Sequence, residues 1–214
     1  MKLNRKRFSV LAIAVSVLLS LFVTGPALAA PKDTERIEAV GAEAEKVAKE
    51  SGIPIPKNTK LVRVVKSKSA VPTALFAPVE PNATIPPPFW WDLRNIWTNE
   101  ACGTTAFRSS SGAGPGTLAM DINTGIKASF STSITIGKDV VSGALGFNVE
   151  GSVTITDSYE VEVPAGQVWT LKAYPYYTVY HYEIWRDYLW PLTDQLAGNG
   201  DARLPIGVCF AVYE

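Results

Sequence analysis

The sequence predicts a mainly β protein, built as an antiparallel β-sandwich or as an elongated twisted sheet. Three observations indicate this class. Residues 126–163 follow a two-residue period, shorter apolar runs are separated by turn residues, and helical periodicity is confined to one segment near the N-terminus. We therefore expect one β domain over residues 89–214.

The two-residue period is carried by two segments on either side of residues 137–143. From Ile126 to Ile136 apolar side chains alternate with lysine, serine and threonine, and from Leu145 to Val163 they alternate mainly with serine, threonine and glutamate. A strand of this kind has one apolar and one polar face. The second segment is far longer than the usual strand of about 5 to 6 residues. It therefore predicts either a bend at Gly151 or an elongated molecule.

The N-terminus has the pattern of a secretory signal peptide over residues 1–29. Basic residues between Lys2 and Arg7 precede an apolar run from Val10 to Val23, and Ala27-Leu28-Ala29 is a cleavage motif. The apolar run is shorter than the about 20 residues of a membrane-spanning helix, although an uncleaved anchor stays open. Cleavage removes four of the 20 basic residues and none of the 20 acidic ones. The secreted, mildly acidic chain is therefore not expected to bind nucleic acid.

The two cysteines, Cys102 and Cys209, fit an exported protein. In an oxidising compartment a lone pair of cysteines predicts one disulfide. Closing a loop of about a hundred residues stabilises a fold by up to roughly 4 to 5 kcal/mol.

A lead segment over residues 30–70 precedes the β domain. Apolar residues spaced three or four apart predict an amphipathic helix from Asp33 to Ser51, and Leu61 to Val65 predict a short strand. Whether this helix packs on the β domain or belongs to a removable pro-segment stays open. Six prolines crowd residues 71–88, which predicts an extended linker.

Further strands and loops complete the predicted β domain. Strands are expected at 104–108 and 117–122 around a loop at 109–116, at 167–174 and 176–185 with a break at Pro175, and at 206–213 after a polar loop at 192–203.

Aromatic residues are concentrated between Trp169 and Trp190. Tyrosines occur at both parities of the predicted strand, so both of its faces are aromatic. One face is expected to form core, and the other stays open as a sugar-stacking surface or a membrane-surface belt. The predicted contact residues are Trp169, Tyr174, Tyr176, Tyr180, Tyr182 and Trp185.

Few residues suit catalysis. His181 is the sole histidine, and its pairing on one strand face with Glu183 is interpreted as a half-buried histidine in an aromatic sheet. With no second histidine and no free thiol expected, we predict no catalytic residue, metal site or cofactor. A hydrolase using Glu160, Glu162 or Asp201 is the remaining enzymatic alternative and predicts an acidic cleft.

Five short motifs carry a family resemblance over residues 100–214. They are Gly114-Pro115-Gly116-Thr117-Leu118, Gly146-Phe147-Asn148-Val149, Val163-Pro164-Ala165-Gly166, Ala173-Tyr174-Pro175-Tyr176 and Gly207-Val208-Cys209-Phe210. This series resembles uncharacterised small secreted proteins of Gram-positive bacteria. The alternating segments also resemble aerolysin-type β-pore-forming toxins, which implies a membrane-inserting hairpin over 126–155 with arms at 126–136 and 145–155 and its tip at 137–143.

Together these features predict a secreted or cell-envelope protein that binds a ligand or has a structural role and is not an enzyme. The expected partner is extracellular, namely a carbohydrate, a protein or a membrane. Whether the protein forms an oligomer stays open. The first alternative is a pore-forming protein that uses residues 126–155. The second is the carboxylate-dependent hydrolase.

Overall fold

The computed structural model describes residues 34–53, 59–67 and 89–214. The predicted signal peptide (1–29) and proline-rich linker (71–88) lie outside the described residues. Within them, the expectation of a mainly β, antiparallel protein is confirmed. The elements are β1 (Thr34–Val40), α1 (Ala42–Glu50), β2 (Thr59–Ser67), β3 (Phe89–Cys102), β4 (Arg108–Ala113), β5 (Gly116–Lys127), β6 (Ser129–Thr132), α2 (Lys138–Leu145), β7 (Ser152–Val163), β8 (Val168–Tyr188) and β9 (Gln195–Tyr213).

Two antiparallel sheets are built around the long β8–β9 hairpin. The larger has seven strands with β1-β2-β9-β8-β3 as its main order. On its outer edge β8 pairs first with β4 and then with β3, and on its outer edge β9 pairs first with β6 and then with β2. Each long strand therefore has two outer partners in succession. The smaller sheet consists of β5 and β7.

The smaller sheet covers one face of the larger one. Alternate apolar residues of β5 and β7 are buried, whereas the serine, threonine and glutamate residues between them are exposed. These apolar side chains join one core cluster with Leu171 of β8 and with Val208, Phe210 and Val212 of β9. The apolar face of the alternating region therefore has a packed partner within the protein.

The opposite face of the larger sheet carries a second core cluster. Helix α1 contributes Ala44 and Ala48 to this cluster, and the chain between β6 and β7 contributes Val141, Phe147 and Val149. Tyrosines of β8 also lie in it, which confirms that one aromatic face of this strand is core.

In this conformation residues 126–155 do not form a single hairpin, and the membrane-inserted hairpin implied by the resemblance to pore-forming toxins stays a prediction. The two predicted arms pair with each other only at Ile126–Val153 and Lys127–Ser152, because the paired stretches are β5 and β7. The first arm instead continues into β6, which pairs with β9, and the predicted tip is helix α2. Gly146, at φ 77°, ends this helix. A turn that closes with Gly151 N–H donating to the carbonyl of Asn148 then precedes β7.

The helix predicted from Asp33 to Ser51 is only partly correct. Residues 34–40 form β1, which pairs along its whole length with β2, and the helix is limited to α1. Gly41, at φ 64°, separates the two elements. The strand predicted at 61–65 is confirmed by β2, which pairs with β9. Because Asp33–Glu214 forms one compact unit, this part of the lead segment belongs to the same body as the β domain.

Besides the strand expected at 104–108, which begins only at Arg108 as β4, three further boundaries differ from the prediction. The loop expected at 109–116 is mostly β4, the loop expected at 192–203 mostly belongs to β9, and β8 continues through Pro175. In each case pairing with a distant strand supplies the backbone hydrogen bonds. Pro175 is tolerated because it lies between the positions where β3 and β4 pair with β8, so its missing N–H breaks no bond to either strand.

The predicted disulfide between Cys102 and Cys209 is present. It joins β3 to β9, which are not neighbours in the sheet. Cys102 N–H also donates to the carbonyl of Ser51 at 2.6 Å. The end of β3 is thereby held both to the central hairpin and to the segment that follows α1.

Candidate functional site

A cavity of about 350 Å³ lies on β3, β8 and β9. On β8, Leu171 and Ala173 lie beneath the smaller sheet. His181 and Glu183 have the same parity further along the strand, where they are half-buried and line the cavity. The site therefore occupies the part of this sheet face that β5 and β7 leave uncovered.

Trp97 forms an aromatic platform at the cavity. Its indole stacks on the His181 ring with a centroid distance of 3.9 Å and an interplanar angle of 20°. The two residues are direct cross-strand partners, which is the arrangement that brings side chains on one sheet face together. The stack still leaves Trp97 58% exposed.

A β-bulge in β3 places Trp97 on this face. Arg94 pairs with Glu183 and Trp97 with His181, so three steps along β3 match two along β8. Asn95 within the bulge has φ 53°, a left-handed conformation that asparagine tolerates better than most residues. Without the extra residue, the alternation of a regular strand would turn Trp97 to the opposite face.

Side-chain hydrogen bonds orient the polar groups around the platform. His181 Nδ1 donates to the Asp201 carboxylate, and His181 Nε2 lies 2.7 Å from Asn99 Oδ1. Glu183 Oε2 accepts from Asn95 Nδ2 at 2.7 Å and from the indole N–H of Trp185 at 2.8 Å. The arrangement is an aromatic surface edged by fixed donors and acceptors.

The sheet beneath the site is tightly packed on its opposite face. A Cβ atom at Gly200 would lie 2.6 Å from the ring of Tyr182, so the glycine allows this ring to pack close to β9. Burial, together with the nearby Asp201 carboxylate, raises the pKa of Tyr182 to about 12. Tyr182 is therefore a neutral, rigid support at physiological pH.

The six predicted contact residues are distributed between core and surface. Tyr174, Tyr176 and Tyr182 are buried in the core cluster that includes α1, where packing leaves them no free face for an external ligand. Tyr180 is half-buried against Phe147. The half-buried Trp169 and Trp185 donate their indole N–H groups to Gln167 and Glu183, respectively. Of the six, Tyr182 lines the cavity although its ring packs on the opposite face of the sheet, and Trp185 adjoins the cavity through Glu183.

Sequence reasoning missed Trp97, Asn95 and Asn99. Strand parity predicts His181 and Glu183 on one strand face, and the sequence favours the interpretation of the histidine as a half-buried residue of the sheet; both residues are half-buried and line the cavity. A polar pair that interrupts an otherwise aromatic strand is the signal that marks this position. The position of Trp97 depends on the bulge, and all that the sequence offers there is an asparagine, a residue type that tolerates the left-handed conformation.

Within the described ranges, no three His, Cys, Asp or Glu side chains are grouped as metal ligands would be. Nor does that part of the chain contain a helix long and apolar enough to cross a membrane. Comparison of the chain with protein-family models and with curated proteins finds no match.

Proposed function

We propose that the protein is a secreted, non-enzymatic binding protein and that its ligand is a carbohydrate held at Trp97. The observation that carries the proposal is the exposed Trp97 indole, stacked on His181 beside a cavity with polar walls. A flat aromatic surface offers apolar contact and a negative π-face, which suits the C–H groups on one side of a pyranose ring.

The polar groups around Trp97 support a sugar ligand. The cavity is lined by Asn95, Asn199 and Asp201 in addition to Glu183. Amides both donate and accept hydrogen bonds, and carboxylates accept them. Sugar hydroxyls need both kinds of partner. Placing a few fixed polar groups around an apolar contact is the usual design of a specific small-ligand site.

The positions of the carboxylates support binding rather than hydrolysis. Glu183 already accepts two hydrogen bonds, and Asp201 is paired with His181. Glu160 and Glu162, proposed for the hydrolase alternative, are exposed on β7 in the smaller sheet, whereas Asp201 lies on β9 in the larger one. These three residues do not share one cleft.

The test is calorimetric titration of the mature protein with soluble oligosaccharides, including chitin, cellulose, mannan and peptidoglycan fragments. We expect one class to bind, and Trp97→Ala to weaken binding at least about tenfold, which corresponds to about 1.4 kcal/mol. Trp90→Ala is the matched control, because Trp90 is also an exposed indole of β3 but does not line the cavity. Equal losses in both variants, or no binding by any sugar, would refute the proposal.

A further inference from the structure

The turn between β8 and β9, together with the start of β9, carries four large apolar side chains that are more than half exposed: Leu189, Trp190, Leu192 and Leu196. We call residues 189–196 the hairpin tip. Trp190 is 91% exposed, so its indole makes almost no contact with the rest of the protein. Such a concentration of exposed apolar side chains at one end of the long hairpin marks an interaction surface.

Hydrogen bonds hold the hairpin tip in shape. Leu192 N–H donates to the carbonyl of Leu189 at 3.1 Å. The Asp194 carboxylate accepts from the backbone N–H of Tyr188 at 3.2 Å and from Arg94 at 2.8 Å. The Arg94 guanidinium, followed by the Tyr188 N–H, lowers the pKa of Asp194 below its usual range. The tip therefore keeps its apolar side chains in water and does not fold them back onto the sheet.

The charges beside the hairpin tip argue against an anionic partner. Arg94 is ion-paired with Asp92, Asp187 and Asp194. The guanidinium of Arg186 is held over the rings of Phe89 and Trp91. Among the residues that the structure describes, three carboxylates and two guanidinium groups lie beside the tip, and both guanidinium groups are already engaged.

From these observations we propose that the hairpin tip docks the protein on a zwitterionic or uncharged lipid surface. Indole rings favour the boundary between headgroups and hydrocarbon, and leucine side chains favour the hydrocarbon itself. A stable protein partner typically buries about 800 Å² per side against a shape-complementary surface. A fluid lipid surface accepts four protruding side chains without a matching shape, and it does not require basic residues.

The test is flotation of the mature protein with phosphatidylcholine vesicles at low and high salt. We expect binding that salt does not weaken, and at least about a tenfold lower partition for the double variant Trp190→Ala/Leu192→Ala. Phe107→Ala is the control, because Phe107 is an exposed apolar residue outside the tip. Trp190→Phe is expected to retain most of the binding because it keeps an aromatic ring.

Three results would overturn this proposal. The first is that the wild-type protein does not float with the vesicles. The second is binding that requires anionic lipid and disappears at high salt. The third is that the protein binds no vesicles but self-associates, and that the double variant abolishes this self-association. The last result would identify the tip as an interface between copies of the chain. The sugar titration separates this proposal from the one at Trp97, since the double variant leaves every residue of that cavity in place.

Discussion

Removal of the disulfide is the perturbation whose effect follows most directly from the structure. Cys102 and Cys209 are separated by 107 positions, and both are buried. A reductant does not reach a buried bond readily, so the double variant Cys102→Ala/Cys209→Ala is the suitable form. The comparison is wild-type protein that has been unfolded, reduced and refolded, because it retains both sulfur atoms. The difference between this reduced protein and the alanine variant separates the effect of the crosslink from that of side-chain packing.

The size of the effect can be worked out from the loop. In the chain-entropy relation, closing a loop of 107 residues raises the free energy of the unfolded chain by about 4.8 kcal/mol at 25 °C, because the unfolded chain loses conformational entropy. Typical domains have a free energy of unfolding of about 5 to 15 kcal/mol, so this is a large share. We expect the reduced protein to lose about 4 to 5 kcal/mol, and the alanine variant somewhat more because it also loses buried sulfur contacts.

Urea unfolding followed by tryptophan fluorescence measures this loss. Cys102 lies at the end of β3, five residues beyond Trp97. Because loss of the disulfide frees this strand end, the near-ultraviolet circular dichroism of the tryptophans is expected to change at urea concentrations below the unfolding transition. A loss below about 1 kcal/mol, with an unchanged denaturant slope, would contradict the reasoning. It would mean that the unfolded chain already holds these two segments together.

Three further predictions concern charge and close packing. Burial raises the pKa of the Glu100 carboxyl, but hydrogen bonds from Lys66 and a tyrosine hydroxyl outweigh it and lower the pKa overall. The ionised Glu100 carboxylate therefore contributes its full stabilisation above the unfolded pKa of about 4.5, and this stabilisation is lost as the pH falls through the lowered pKa of the folded state. Lys66→Met should reduce this dependence of the urea midpoint on acid pH. Burial, then a nearby glutamate, raises the pKa of Tyr159 to about 12 from 10.0, so stability should fall as the pH rises above 10.0, with tyrosinate absorbance appearing on unfolding. Gly207→Ala should cost more than about 3 kcal/mol in urea unfolding because its Cβ would lie 1.9 Å from a carbonyl oxygen of β2, whereas Gly137→Ala, with open space around it, should cost little.

The sequence predicted the class of fold well because alternation reports which side chains are buried. Leu118, Ile155 and Tyr159 lie on the core side of the smaller sheet as their parity requires. It predicted boundaries poorly wherever a distant strand decided the local structure. Residues 34–40 satisfy a helical spacing, but pairing with β2 makes them a strand.

The candidate site was less predictable than the core. His181 and Glu183 could be placed together from strand parity alone. Their partners Trp97, Asn99 and Asp201 come from other strands, and which residues face each other depends on the registers of β3 and β9. One register shift in the β3–β8 ladder and two in the β8–β9 ladder alter those registers, and short-range periodicity contains no information about them.

The continuity of β8 fixes a distance between the two proposed surfaces. Seven residue steps along β8 lead from His181, under the Trp97 platform, to Tyr188, the last residue before the hairpin tip. At about 3.3 Å per residue they span at most about 23 Å. A molecule seated on a bilayer by the tip would therefore present its cavity within that height of the headgroups. Short surface glycans would reach the cavity, and β8 would act as a ruler that selects ligands by their distance from the membrane.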